Sequence, residues 1–295
     1  MNFNDVSKFL ECVPKEDNFS FAENTTYGTG GRAEIAYFPK YIRQAAFVYS
    51  YLVNENINFV ILGNGSNILA SDKNFDGAVI STKRLSGVYR VGIDKLFCRS
   101  GTKVSALLKY CADKGLSGLE YLAGIPASVG GLVYMNGGAG GKVIAQNVLN
   151  VKLFDGKIRN FSNNSCQFGN KYSIMRDINS IILGVMLKVE PEKCEKVKDN
   201  IVLFLEKRSC QPKGRSCGCV FKNVGALGAG KIIDEAGLKG LSVGNAQVSS
   251  EHGNFIINYG SDSADVYALV KEVKRRVFER TGIVLEEEVV YIGDF

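Results

Sequence analysis

Three stretches of the sequence carry residue types at spacings that could do chemistry. Leu62-Gly63-Asn64-Gly65-Ser66-Asn67 follows an apolar run that reads as a strand. Successive backbone N–H groups in a glycine turn can form a nest for a diphosphate, and a missing Cβ permits positive φ and close approach. A Rossmann loop would next open a helix facing the pyrophosphate. Here the residues from Ile68 to Ile80 read as strand, turn and strand, which argues against that fold. Taken alone, the loop serves equally well as a hairpin turn with two glycines. The second stretch, GLEYLAGIPASVGGLVYMNGGAGG at 118–141, interleaves glycine with apolar residues. The third lies near the C-terminus: Gly218-Cys219-Val220-Phe221-Lys222-Asn223, His252, and the acidic run Glu286-Glu287-Glu288. Alternation along an extended chain puts Glu286 and Glu288 on one face and Glu287 on the other, where an acidic edge would suit it.

Eight cysteines, at 12, 98, 111, 166, 194, 210, 217 and 219, raise the question of a metal. The chain has one histidine, and no second cysteine pair stands at ligand spacing, so no metal site is expected. The ordinary role of most of these thiols is that of a small buried hydrophobe. Without further context, His252 reads as a polar residue in a surface turn.

The elements that must position these residues are mixed. Helical periodicity marks residues 42–56, 103–115, 192–208, 229–237 and 263–282, and a short helix is read at 7–13. Strands are read at 32–39, at 58–82 in three pieces, at 87–101, at 148–162 as a hairpin about Asp155-Gly156, at 180–190, at 242–250 and 254–260, and at 284–293. This is an α+β chain. At 295 residues with 45% hydrophobic content it is long enough for two domains, with boundaries expected at 15–191 and 192–295, the last strand being free to return to the N-terminal part. A net charge of +6, spread along the chain, suits an anionic small molecule better than nucleic acid. The start, MNFNDVSKFL, has no basic region followed by an apolar one, and no apolar run is long enough to span a bilayer, so a cytoplasmic location with reduced thiols is expected.

The order GTGGRA, LGNGSNILASD, GLEYLAGIPASVGGLVYMNGGAG resembles the vanillyl-alcohol-oxidase (PCMH) type of FAD-binding domain. With FKN at 221–223, AGKIIDEAGLKG at 229–240, VSSEHGNFIIN at 248–258 and LEEEV at 285–289, nearly the whole chain resembles the UDP-N-acetylenolpyruvoylglucosamine reductase (MurB) family. The short span from Lys171 to Ser216 matches the type without a long inserted substrate loop. The resemblance implies that a C-terminal α+β substrate domain follows the FAD domain. It further implies that NADPH reduces FAD and that UDP-N-acetylglucosamine enolpyruvate becomes UDP-N-acetylmuramate, a peptidoglycan precursor.

By the same resemblance, Gly63, Asn64, Gly65, Ser66 and Asn67 line the FAD diphosphate. Gly124, Ile125, Pro126, Ser128, Gly130 and Gly131 border the flavin, with Asn136 nearby, and Asn223 and His252 contact substrate. The family's glutamate falls on Glu288. Its proton-donating serine is Cys219 here, a thiol being a stronger acid than an alcohol. Its arginine is Lys171, which keeps the charge and loses the planar fork; Arg176 reaches in only if its loop is remodelled. Two other readings are a related FAD oxidase of small alcohols or sugars, and a flavin- or UDP-sugar-binding relative that has lost catalysis.

Overall fold

A computed structural model describes residues 9–295, and the chain divides into two units. The first takes the chain up to Asp17, Ile35–Asn64 and Gly77–Ser209; the second takes Asn18–Glu34, Gly65–Asp76 and Cys210–Phe295. Of the short helix read at 7–13, residues 7 and 8 lie outside the described residues, and 9–11 are helical.

In the first unit, β1 (Phe59–Leu62) runs parallel to β3 (Phe75–Ser81), with Leu62 opposite Ser81. Helix α1 (Ile42–Asn54) covers them, placing Ala45, Val48, Tyr49 and Leu52 at helical spacing against Ala78 and Ile80. A five-stranded antiparallel sheet runs β7 (Ile158–Ser162), β6 (Val148–Phe154), β8 (Ile181–Lys188), β5 (Lys95–Arg99), β4 (Val88–Val91). Strand β8 faces two cores. Ile181 and Leu183 join the α1 core, while Ile182, Val185 and Leu187 join a larger one with Leu107, Leu108 and Cys111 of α2 (Val104–Lys114). Strict alternation would put 182 and 185 on opposite faces. A register shift opposite Lys152/Leu153 inserts one residue and turns Val185 to the side of Ile182.

Helix α4 (Cys194–Lys207) was expected to open the C-terminal domain at 192, and it belongs instead to the first unit. Val197 is buried, and Ile201 and Phe204 pack against the larger core, so the apolar stripe of this polar-looking helix has its partner there. The structural boundary falls at Ser209/Cys210, and two N-terminal segments, 18–34 and 65–76, are built into the second unit.

That unit is organised by α6 (Ser263–Thr281), whose Val266, Leu269, Val270, Val273 and Val277 are fully buried on one stripe. They pack with α5 (Ala229–Glu235) and with the antiparallel sheet β9 (Ser242–Val243), β10 (Ala246–Val248), β11 (Ile256–Asn258). The last strand, β12 (Val290–Ile292), lies parallel to β2 (Ile68–Ala70), the strand that follows the GNGSN loop. No helix among the described residues is long and apolar enough to cross a membrane.

Candidate functional site

The GNGSN loop joins strand to strand, β1 to β2, as the residues after it suggested. The unit boundary falls inside it, at Asn64/Gly65. On the first unit's side, Asn64 donates its Nδ2–H to Pro126 O at 2.6 Å, tying the loop to the second glycine-rich stretch. A Cβ on Gly63 would stand 2.5 Å from Ser128 Oγ, which itself accepts from Gly131 N at 3.2 Å at the start of the short helix α3 (Val129–Tyr134). Residues 127–130 are laid beside 100–104: Val104 N reaches Ala127 O (3.0 Å), Val129 N reaches Thr102 O (2.8 Å) and Gly130 N reaches Ser100 O (2.7 Å). A Cβ on Gly130 would strike Ser100. Gly124, with φ +78, and Pro126 are exposed, and Ile125 is half-buried.

On the second unit's side, Gly65 has φ +68, and a Cβ there would come within 2.1 Å of Asn24 O. Gly65 O accepts from Thr26 N at 3.0 Å. Ser66 is half-buried in the turn. Asn67 donates to Glu288 O at 2.9 Å, and its own carbonyl accepts from Val290 N at 3.0 Å, so it brackets Glu288.

Whether these residues suit FAD is tested by their polar atoms. The hydroxyls of Ser81 and Ser100 in the first unit, and of Thr26 and Thr29 in the second, are buried without a protein partner. Ser81 stands opposite Leu62, Ser100 against Gly130, and Thr26 beside Gly65. Buried polar groups ordinarily have partners. Within each unit, an orphaned hydroxyl beside glycine backbone, Ser100 at Gly130 and Thr26 at Gly65, fits a ligand rich in acceptor oxygens.

Asn136, expected near the flavin, holds a turn. It is buried, with φ +44, and its carboxamide is committed to backbone, donating to Gly169 O (2.8 Å) and accepting from Ala145 N (3.2 Å). The turn it holds, Gly169–Tyr172, carries Lys171 at φ +53. Ser173, fully buried, donates to Tyr134 O at 2.7 Å, and Arg176 Nη1 donates to Lys171 O at 2.9 Å. Arg176 therefore braces the Lys171 turn through its backbone.

The C-terminal residues form a second cluster. Cys219 pairs with Phe255 across an isolated antiparallel bridge and Phe221 pairs with Glu287; Val220 O accepts from Glu288 N at 2.7 Å. The segment around Cys219 thus lies between the strand after His252 and the acidic run. All eight cysteines are free thiols. Cys217 is buried with Sγ 3.5 Å from Tyr27 Oη, and burial first, with the Glu288 and Cys219 charges adding, pushes its thiol up to about 12. It is thereby disqualified as an acid near neutrality. Cys219 is half-buried.

The expected alternation in the acidic run does not hold. Glu286 is the outward residue, its side chain 73% exposed and 3.1 Å from Lys222 Nζ, whereas Glu287 is tucked in and paired with Lys274 at 2.8 Å. Residues 285–289 form no regular strand, Glu287 making an isolated bridge and Val289 a bend, so period two does not govern them. Glu288 is half-buried.

Asn223 is exposed and its Oδ1 accepts from Ala229 N at 3.1 Å, at the start of α5. His252 is half-buried, its ring 4.9 Å from Phe255; its Nδ1 accepts from Asn254 N at 3.2 Å, leaving Nε2 as the donor edge. Burial, chiefly, holds its pKa below the ordinary value.

Residues 33–161 match a family model described as an FAD binding domain, and residues 211–292 match one described as the C-terminal domain of UDP-N-acetylenolpyruvoylglucosamine reductase. The enzyme of that name from Carboxydothermus hydrogenoformans is 35% identical, with 95% of each chain covered. That of Limosilactobacillus reuteri is 37% identical, with 98% of each covered. The crystal structure of the Thermus caldophilus enzyme superposes with a TM-score of 0.80 at 34% identity, covering 95% of this chain and 99% of that one. With identity above 30% over nearly its full length and both domains matched in order, the chain belongs to the UDP-N-acetylenolpyruvoylglucosamine reductase family.

Proposed function

We propose that Cys219 and Glu288 carry the substrate chemistry of an FAD-dependent reductase that uses NADPH to convert UDP-N-acetylglucosamine enolpyruvate to UDP-N-acetylmuramate in peptidoglycan precursor synthesis. The activity follows from family membership. The observation that carries the residue assignment is the 2.7 Å bond from Glu288 N to Val220 O, which fixes the carboxyl-bearing residue beside the residue after Cys219.

When bound, FAD supplies hydride taken from NADPH. The protein's task is then electrostatic and acid–base. Addition to the enolpyruvyl double bond leaves negative charge on the carbon beside the substrate carboxylate, and that charge needs stabilisation and a proton. Cys219 is the proton donor, through Sγ–H. Glu288 stabilises the developing charge by hydrogen bonding, and Lys171 supplies positive charge. Gly63, Asn64, Gly124, Ile125, Pro126, Ser128, Gly130 and Gly131 hold FAD in the first unit, and Gly65, Ser66 and Asn67 in the second. His252, through Nε2–H, and Asn223 contact the anionic substrate. Free thiols throughout suit a reducing, cytoplasmic setting.

Anaerobic oxidation of NADPH by the purified holoenzyme, with the enolpyruvyl sugar nucleotide as acceptor, tests this reading. Turnover with stoichiometric UDP-N-acetylmuramate is expected. Flavin bleached by dithionite but not by NADPH would mark a relic instead.

A further inference from the structure

Asn254 stands at the head of an apolar run, Phe255-Ile256-Ile257, and is only 2% exposed. A carboxamide there is costly unless both of its ends are satisfied. Both are, by one residue: Oδ1 accepts from Phe221 N at 2.8 Å, and Nδ2 donates to Phe221 O at 2.8 Å. Its backbone O also accepts from Val220 N at 2.9 Å. The side chain therefore acts as a short piece of strand edge with two bonds to Phe221, and with its backbone bond to Val220 the residue holds two consecutive residues. On the far side of the same segment, Val220 O accepts from Glu288 N at 2.7 Å and Lys222 N donates to Glu286 O at 2.8 Å.

The residue before Cys219 gives the clamp its significance. Gly218 has φ +80, and a Cβ there would meet nothing within 4 Å, so it is a turn set in open space. Beyond it, Cys217 is anchored to Tyr27. Cys219, bridged to Phe255, thus lies between a glycine turn and the Asn254 clamp, and the clamp fixes the side that leads to Glu288.

We infer that Asn254 is a positioning residue for the reaction: its carboxamide fixes Val220–Phe221 and so sets the Cys219 thiol in register with the Glu288 carboxyl. This rests on the roles given above to those two residues. Asn254 itself is buried under the segment it holds and has no reacting atom to touch. A further bond, Asn254 N to His252 Nδ1 at 3.2 Å, ties the clamp to the His252 turn.

Substitution separates this role from filling space. Asn254→Asp keeps the acceptor for Phe221 N–H and loses the donor to Phe221 O; Asn254→Leu keeps the volume and loses both. In the FAD-loaded protein, rapid mixing should show reoxidation of reduced flavin by the enolpyruvyl substrate slowed roughly tenfold or more in Asp and further in Leu, from unsatisfied backbone groups displacing the segment. Flavin content, and reduction by NADPH, should stay within about twofold, since neither uses Cys219. Two readouts are independent of the flavin. Amide hydrogen exchange at Phe221 should rise in Leu more than in Asp, with exchange in α6 unchanged. Alkylation of Cys219 by iodoacetamide, followed on its peptide by mass spectrometry, should change rate in both variants. Wild-type exchange at Phe221 in Asn254→Leu, or wild-type reoxidation in either variant, overturns the inference. If Asn254→Leu does not fold, Asn254→Asp decides: unchanged reoxidation with unchanged alkylation of Cys219 sinks the inference. Wild-type turnover is measured alongside; if the wild type fails to reduce the substrate, the functional reading falls, and Phe221 exchange still decides the clamp.

Discussion

The two units hold their candidate residues by different means. In the first, the segments expected at the flavin are fixed backbone to backbone: 127–130 lies along 100–104, and Gly63 and Gly130 are glycine because Ser128 and Ser100 occupy the space of a Cβ. In the second, the residues expected to act on substrate are fixed by side-chain amides, with Asn67 on Glu288 O and Asn254 on both polar groups of Phe221. Backbone-held surfaces tolerate little variation in side-chain size and advertise themselves as glycine. Amide-held segments allow Cys219 to stand where the family's serine is expected, since the clamp grips the backbone of the next two residues. The Lys171 turn shows the same device in the first unit, where Asn136 and Arg176 grip backbone at Gly169 and Lys171.

The sharpest break of this contrast is Gly65→Val. A side chain there meets Asn24 O at 2.1 Å and opposes φ +68. Near-complete loss of co-purifying flavin is expected, read from the absorbance ratio of the purified protein. The cause differs from simple crowding of a diphosphate: the loop itself must move. Gly218→Ala is the control, because its Cβ meets nothing within 4 Å and only the positive φ is penalised, at about 1–2 kcal/mol. Flavin retention by Gly65→Val equal to that of Gly218→Ala would remove the packing argument.

Cys219 comes next. Cys219→Ala should slow reoxidation of reduced flavin by substrate roughly 10²-fold or more, the usual worth of a positioned acid, and leave reduction by NADPH intact. Cys219→Ser should recover part of the rate. Bound substrate should protect the wild type from thiol reagents, and Cys217, buried with its thiol pushed up to about 12, should not compete. An alanine variant with wild-type reoxidation would take Cys219 out of the mechanism.

Glu288→Gln should slow the same half-reaction by about tenfold to 10²-fold, less than loss of the proton donor, since an amide still donates a hydrogen bond. Its backbone anchors, Asn67 and Val220, do not depend on the carboxyl, so amide exchange near Glu288 should be unchanged. Equal slowing of both half-reactions would assign Glu288 to structure.

The fold was legible where a period or a cap was strong. Helices α2 and α6 and the hairpin about Asp155-Gly156 stand as read, both helices ending on a left-handed glycine, Gly115 and Gly282. What failed has a physical reason in each case. Helix α4 looked like a boundary because its first half, CEKVKDN, is polar, yet Val197, Ile201 and Phe204 dock it on the first unit. The alternation of Glu286, Glu287 and Glu288 failed because Lys274 and Lys271 lie on α6, beyond the reach of a local pattern, and draw Glu287 inward. Glycines and family motifs marked where to look; the amide clamps were hidden, since an asparagine in a loop and one buried under a strand share a letter. The one available hint was polarity at the head of an apolar run, HGNFIIN.

The smallest effect expected comes from His252. Its Nδ1 is an acceptor for Asn254 N, which requires the neutral ring, and its pKa lies below the ordinary 6.5, with burial the first cause and the Lys239 charge adding. A folded pKa lowered in this way means the unfolded chain binds the proton more readily. The contribution to stability is therefore complete above 6.5 and is lost as pH falls through the folded pKa. The half-buried ring and solvent screening limit the effect to roughly 0.5 kcal/mol. As this is the single histidine of the chain, its imidazole C–H resonances can be followed without ambiguity in an NMR titration, and urea unfolding midpoints of wild type and His252→Leu can be compared across the same range. The wild-type midpoint should fall toward that of the variant as pH is lowered. Because the proton enters at the atom that receives Asn254 N–H, exchange at Asn254 should quicken over the same interval, linking the turn to the clamp. A titration midpoint at or above 6.5, or a gap between the two proteins that widens in acid, would show that Nδ1 is not the acceptor and would detach His252 from the Asn254 clamp.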